Sequence, residues 1–294
     1  MNEFIERYKK LGQDFEPAEV KVMQTLRINT LKIVEKELIE KLKDRAKLIK
    51  ISFLKNGYSY DSEVPMGATP EYLQGYYYLQ EAASQLPAEL LELKDTDLVL
   101  DMCACPGSKT TQLAQLTNNK ARIIALDANN PRLPSLKNNL ERCGAKNVLV
   151  YKKDARFAED LNLKFDKILL DAPCSGNFAV DSNWFEERKL EDFELMAKTQ
   201  KQLLETAVEI LTQGGILVYS TCSLEPEENE LVINWLLEQR DDIILEKIDV
   251  DIGDSGLTNV FGKELNPEIA KCKRLWPHKT GTQGFFIAKI RKKS

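Results

Sequence analysis

DLVLDMCACPGSKTTQLAQL, residues 97–116, joins a short apolar run to a loop carrying Pro106 and Gly107, then to a segment of helical spacing. The apolar run reads as a buried strand and Pro106-Gly107 as a tight turn, and the helix is expected to start near Ser108. Four more apolar runs follow: ARIIALD (121–127), NVLVY (147–151), FDKILLD (165–171) and GILVYST (215–221). Helical segments lie between most of them. The clearest spans about residues 190–212, with Leu203, Leu204, Ala207, Val208 and Leu211 on one face. Apolar strands alternating with helices predict an α/β fold on a mainly parallel sheet covered on both faces. The last run, GFFIAKI (284–290), is expected to close one edge of that sheet.

Residues 1–75 read as a small α+β unit and residues 76–294 as the larger domain. Leu38, Leu42, Ala46 and Ile49 recur at helical spacings of four and three. KLIKISFL (47–54) reads as a strand, followed by a turn at Asn56-Gly57 and the short run YSY. Pro65, Gly67 and Pro70 suggest a linker. LQEAASQLPAELLEL (79–93) has helical spacing with a break expected at Pro87.

Apolar residues make up 43% of the 294-residue chain and charged residues 30%, enough for a packed core under a solvated surface. No apolar run approaches the roughly 20 residues of a membrane helix. The start, MNEFIERYKK, lacks a secretory apolar region, so a cytoplasmic protein is expected. Six cysteines fit that compartment as reduced thiols. With no CxxC pair and a single histidine, His278, no metal site is expected, and a Cys–His protease would rest on His278 alone. The net charge of −5 argues against a general nucleic-acid binder. Yet residues 271–294 hold eight Lys or Arg and no acid, which reads either as a solvated strand with a basic tail or as a phosphate-binding patch.

Three of the predicted strands end in Asp: Asp101, Asp127 and Asp171. Ligands of open α/β sheets sit at the carboxyl ends of the strands, so these acids are functional candidates. The loop after Asp101 is neither a P-loop nor a dinucleotide fingerprint, because Ser108 stands where a P-loop needs Gly and the loop has one Gly, Gly107. S-adenosylmethionine carries no phosphates and needs fewer glycines. Asp127 suits its ribose hydroxyls, as it would those of NAD, and Asp154 suits an adenine amino group. Arg132 either pairs with Asp127, helps frame the pocket, or is a solvated helix residue. Lys109 sits in the first helical turn, where the helix dipole disfavours a cation, so a ligand contact is expected to hold it there.

DAPCSG (171–176) and STCSLEPEENE (220–230) place Cys174 and Cys222 at strand ends that can share one cleft. Pro226 with Glu225, Glu227 and Glu228 reads as a helix start, whose N–H groups would favour a thiolate at Cys222. A free Cys is most often a small buried hydrophobe. Two in Pro/Ser/Gly turns beside a strand-terminal Asp point instead to chemistry.

DMCACPGSKT, DAPCSG and STCS followed by EPEENE resemble the motifs of the Sun/NSUN family of RNA cytosine-5 methyltransferases. LRINTLK (26–32), LQEAASQLPA (79–88) and RLWPHKTGTQGFFIAKI (274–290) extend the resemblance from about Leu26 almost to the end. Ser108 stands where many members have a second Gly. The resemblance implies a Rossmann-like class I methyltransferase fold and S-adenosylmethionine as methyl donor. It implies Cys222 as the attacking thiolate, Cys174 as the group that assists release, and Asp171 as stabiliser of the protonated ring nitrogen, with Lys109 near cofactor and base. Cys103, Ala104, Cys105, Pro106, Gly107, Ser108 and Lys109, with Asp127, Arg132, Asp154 and Asp171, would form the cofactor pocket. Whether Asp171 serves cofactor, base or both stays open.

The implied partner is RNA, and the protein is expected to be a monomer with no membrane association. A compact chain resembles archaeal tRNA enzymes of the family, so tRNA is preferred over rRNA. The N-terminal unit and the basic C-terminal strand are the expected RNA-holding surfaces. A non-catalytic RNA-binding protein of the same fold and a nucleotide-dependent enzyme resting on Lys109-Thr110 are the rival readings.

Overall fold

The structure, a computed structural model, describes residues 2–294. It opens with helix α1 (Glu3–Lys10). An antiparallel sheet of β1 (Thr25–Ile28), β2 (Ala46–Lys50), β3 (Gly57–Ser62) and β4 (Tyr77–Tyr78) follows, in the order β2-β3-β1-β4. Leu38 and Leu42 of α2 (Glu35–Leu42) pack against Leu26, Ile28, Tyr58 and Tyr77 in a small core. The helix stops at Leu42 instead of continuing through Ala46 and Ile49. Ala46–Lys50 pairs residue for residue with β3, and strand pairing overrides the helical spacing there. The strand read over 47–54 ends at Lys50 for the same reason: Lys50, opposite Tyr58, is the last paired residue.

Strand pairing and helix packing cross the division expected at residue 75. After α3 (Pro70–Leu73), Tyr77 and Tyr78 pair with β1 and belong to the N-terminal sheet. Helix α1 leaves it: Phe4 packs 4.9 Å from the ring of Trp184 and 5.8 Å from that of Phe193, in the core of the larger domain.

Helix α4 (Ala82–Glu89) begins the larger domain and runs through Pro87, two residues past the expected break. Strands β5 (Leu98–Asp101), β6 (Arg122–Asp127), β7 (Val148–Lys152), β8 (Phe165–Asp171) and β9 (Leu211–Thr221) lie parallel in the order β7-β6-β5-β8-β9. Helices α5 (Ser108–Leu116), α6 (Leu133–Cys143), α7 (Trp184–Glu187), α8 (Leu190–Ile210) and α9 (Glu230–Gln239) connect or follow them. Alternate residues feed opposite layers. Leu100, Ile168, Leu170, Leu217 and Tyr219 share a core with α8 and α9, while Val99, Leu169, Ile216 and Val218 share one with α4 and α5. That two-sided burial is why these strands read as unbroken apolar runs.

The remaining strands are β10 (Ile243–Glu246), β11 (Asp254–Ser255), β12 (Asn259–Val260), β13 (Lys263–Glu264), β14 (Lys273–Leu275) and β15 (Phe285–Lys292). β15 runs antiparallel beside β9, and its far side pairs with β14 and β10. GFFIAKI is therefore an interior strand, not an edge. Its residues from Phe285 to Ile290 are all buried, as a strand paired on both sides and covered on both faces requires.

β6 lies on one side of β5 and β8 on the other. The loops after β5 and β8 part at this point, leaving a crevice at the carboxyl ends of the strands.

Candidate active site

The loop after β5 is stitched to its neighbours by its own amides. Met102 N–H donates to Leu169 O (3.0 Å), Ala104 N–H to Leu126 O (2.9 Å), and Gly107 N–H to Ala104 O (2.7 Å). Gly107 has φ +103°, and a Cβ there would lie 2.9 Å from Leu136 Cδ1 of α6, so conformation and space both call for glycine. Asp127 orders the loop from β6, accepting from Cys105 N–H (3.2 Å) and Asn129 N–H (2.8 Å). Arg132 frames it from outside: its guanidinium donates to Cys105 O at 2.6 Å and lies 3.9 Å from Asp127. Burial, helped by Asp127, pushes the Cys105 thiol up to about 12.

The loop surrounds a cavity of about 480 Å³. Of the expected residues, Cys103, Cys105, Asp127, Arg132, Asp154, Asp171, Cys174 and Cys222 line it. Ala104, Pro106, Gly107, Ser108 and Lys109 do not; they shape the turn behind it. Asp101 is turned inward beneath the loop, where Thr110 Oγ1 donates to it (2.7 Å) and burial raises its carboxyl to about 7. Met102, Asn129, Arg156, Thr199 and Leu203 also line the cavity, and the sequence marks none of them as a site residue. Arg156 forks onto Asp154 at 2.6 Å and holds that carboxyl below its usual range. The i, i+2 spacing of the two residues carries no motif signal.

At the other end of the cavity Asp171 is fixed from two sides. Lys109 Nζ donates to Oδ2 (2.6 Å) and to Ser84 Oγ (2.9 Å), and Ser220 Oγ donates to Oδ1 (2.8 Å). The cation in the first turn of α5 thus answers a carboxylate of the protein itself. Cys174 and Cys222 meet with their sulfurs 3.0 Å apart. The contact with Cys222, with burial, pushes the Cys174 thiol well above its ordinary range. Cys222 stands ahead of the short turn Pro226–Glu228, and α9 begins only at Glu230. The sulfur's partner is Cys174, not the expected helix N–H groups.

The basic C-terminal stretch is not a free cationic patch. Arg274 is fully buried and donates to Glu230 (Nε–Oε1 2.8 Å). Lys279 pairs with Asp254 (2.6 Å), Lys289 with Glu246 (2.9 Å), Arg291 with Glu246 and Lys271 with Glu268. Lys292 and Lys293 donate to the carbonyls of Val208 and Asp241. Acids, most of them distant in sequence, pair with five of the eight cations, and main-chain carbonyls engage two more. Among the described residues no helix is long and apolar enough to cross a membrane, and no three His, Cys, Asp or Glu side chains are grouped to hold a metal ion.

A family model described as 16S rRNA methyltransferase RsmB/F matches residues 88–291, and one described as the N-terminal domain of 16S rRNA methyltransferase RsmF matches residues 1–82. The chain is 38% identical over 292 residues to the human 28S rRNA (cytosine(4447)-C(5))-methyltransferase, covering 96% of this chain and 36% of that protein. It is 37% identical over 300 residues to the tRNA (cytosine(49)-C(5))-methyltransferase of Pyrococcus abyssi, covering 98% of this chain and 95% of the relative. A crystal structure of a methyltransferase homolog protein from Pyrococcus horikoshii superposes with a TM-score of 0.87 at 38% identity over 99% of both chains. The chain spans only 35% to 47% of the length of the first curated relatives it matches.

Proposed function

The chain belongs to the family described as 16S rRNA methyltransferase RsmB/F, and on that premise we propose that it methylates carbon 5 of cytosine in RNA, with S-adenosylmethionine as donor and Cys222 as nucleophile. The observation that carries this reading is the meeting of Cys222, Cys174 (3.0 Å between sulfurs) and Asp171 at one end of a nucleoside-sized cavity.

The cavity fits a donor without phosphates. Met102, Ala104, Cys105 and Gly107 have their amides engaged within the protein, and Lys109 is held by Asp171, so neither is left to cradle a diphosphate. This favours S-adenosylmethionine over NAD or ATP. Asp127 and Asp154 would hold its ribose and adenine, with Arg132 framing the loop. S-adenosylmethionine, when bound, supplies an electrophilic sulfonium methyl.

Carbon 5 of cytosine is a poor nucleophile on its own. Cys222 Sγ adds to carbon 6, which makes carbon 5 enamine-like and able to accept the methyl group. Asp171, oriented by Lys109 and Ser220, accepts the hydrogen bond from the protonated ring nitrogen 3 as charge develops. A base then takes the carbon-5 proton, the carbon-5–carbon-6 double bond re-forms and the carbon-6–sulfur bond breaks to return the Cys222 thiolate; Cys174 at 3.0 Å assists that release. The target cytosine must leave any base stack to reach Cys222.

For the RNA we favour tRNA, because the match to the Pyrococcus abyssi tRNA enzyme extends over 95% of that relative. The rRNA relatives make rRNA the alternative. With seven of the eight C-terminal Lys and Arg side chains engaged by carboxylates or carbonyls, we place the RNA-holding surface on the N-terminal unit, where Lys47 and Lys55 stand exposed. We place the enzyme in the cytoplasm, where its six unpaired cysteines stay reduced, and read it as a monomer because one chain supplies every group of the site. Incubation with labelled S-adenosylmethionine and unmodified tRNA or rRNA, followed by digestion to nucleosides, tests the proposal. Labelled 5-methylcytosine from tRNA is expected. Label in any other nucleoside would overturn the reaction, and label only in rRNA would overturn the substrate choice.

A further inference from the structure

Glu228 is fully buried, and among the described residues no Lys or Arg pairs with it. Four donors surround its carboxylate instead. Ser175 N–H (3.0 Å) and Gln200 Nε2 (2.8 Å) donate to Oε2, while Ser223 Oγ (2.7 Å) and Ser175 Oγ donate to Oε1. Ser175 directly follows Cys174, and Ser223 directly follows Cys222. Gln200 also donates to Pro173 O (2.9 Å), the carbonyl just before Cys174. Tyr219 OH donates to the main-chain oxygen of Glu228 (2.6 Å) and ties it to β9. One carboxylate therefore joins two loops that leave different strands and carry the two thiols.

Burying an ionised carboxylate without a cation is costly unless its lone pairs are used. Burial raises the Glu228 carboxyl pKa, and the hydrogen bonds from Ser175, Ser223 and Gln200 oppose that rise. Glutamine keeps one acceptor oxygen for the Ser175 and Gln200 N–H groups, but its NH₂ must donate to the two serine hydroxyls, so both of those bonds have to reverse.

We propose that Glu228 is the positioning residue for the two thiols: by accepting the hydroxyls of Ser175 and Ser223 together, it fixes the cysteine loops in the register that sets the sulfurs 3.0 Å apart. The inference rests on the reading that both thiols act in cytosine methylation. Neither loop sets this distance alone, since each is anchored to its own strand.

Glu228→Gln tests it through two readouts. With RNA and S-adenosylmethionine, kcat should fall on the order of 10²-fold while KM for both substrates stays near the wild-type value, as expected when reacting groups are misplaced and binding is intact. Without RNA, the azo oxidant diamide takes one hydrogen from each thiol, forming the Cys174–Cys222 disulfide and itself becoming the hydrazine. The rate of that cross-link, read by peptide mass spectrometry, reports the placement of the sulfurs and should fall in Glu228→Gln. Ser223→Ala should show the same two changes more weakly, and Glu228→Gln should add little in the Ser223→Ala background, because both act through one junction. If Glu228→Gln fails to fold, Ser223→Ala carries both readouts. Wild-type kcat and cross-linking rate in the folded variants would overturn the inference. So would an activity loss carried by a raised KM for RNA with the cross-link unchanged. If the wild-type protein methylates no cytosine, the functional reading fails, while the cross-linking rates still decide the role of Glu228.

Discussion

Replacing Arg274 with methionine should strike the fold and leave RNA binding alone. Arg274 and Glu230 are both 0% exposed. The guanidinium donates to both Glu230 oxygens and to Leu224 O (2.6 Å), and lies 4.8 Å from the centre of the Trp276 ring. Without it, Glu230 keeps the N–H of Leu257 (3.1 Å) as its one remaining partner among those contacts, and a buried carboxylate is left uncompensated. Breaking a buried pair in this way costs about 3–5 kcal/mol. At about 2–4 °C per kcal/mol for a domain of this size class, the melting temperature should drop by roughly 6–20 °C. Calorimetry and urea unfolding read the loss. Adding Glu230→Leu should restore much of it, because an apolar pair carries no desolvation penalty. RNA binding, measured across a salt series below the melting range, should keep its slope. A loss under about 1 kcal/mol, or a shallower salt slope at unchanged stability, would refute the reasoning.

Asp101 is raised by burial from 3.8 to about 7, so between those values the folded state binds the extra proton. Its contribution to stability is therefore largest at low pH and is lost as pH rises towards the folded value, by up to about 4 kcal/mol. Asp101→Asn should flatten the decline in stability between about pH 4 and pH 7; parallel curves for the two proteins would contradict this. Gly107→Ala places a side chain at φ +103° against Leu136, at a cost of about 1–3 kcal/mol. It should also shrink the thermal shift given by S-adenosylmethionine, and an unchanged shift would count against the loop's role. Lys109→Met frees one side of Asp171 and should lower kcat at least about 10²-fold with little change in cofactor affinity by calorimetric titration. A matching loss of cofactor affinity would instead make Lys109 a cofactor ligand.

The parallel sheet was legible because two-sided burial leaves unbroken apolar runs such as Ile168–Leu170. The lining of the cavity was legible where polar side chains are concentrated in a loop, at Cys174, Cys222, Asp127 and Asp171. What escaped reading depends on partners distant in sequence. Arg274 looks like a surface cation until Glu230, 44 residues away, is folded against it. Glu228 looks like one of three acids opening a helix until Ser175, 53 residues away, meets it. Lys109 asked for an anion, and the anion is Asp171 of the same chain. Ile49 sits at a helical spacing from Leu42 by coincidence, since the pairing of Ala46–Lys50 with β3 decides its conformation. The placement of GFFIAKI inside the sheet required β10 and β14, whose short sequences carry little strand signal.

The covalent step is tested most directly by trapping it. Cys174→Ser protein would be incubated with S-adenosylmethionine and substrate RNA, digested with protease and nuclease, and the peptide carrying a nucleotide identified by mass spectrometry. The account predicts a cytidine nucleotide on Cys222 that accumulates in Cys174→Ser and disappears when Cys222→Ser is added. A nucleotide on any other residue, or undiminished 5-methylcytosine formation by Cys222→Ser, would contradict it.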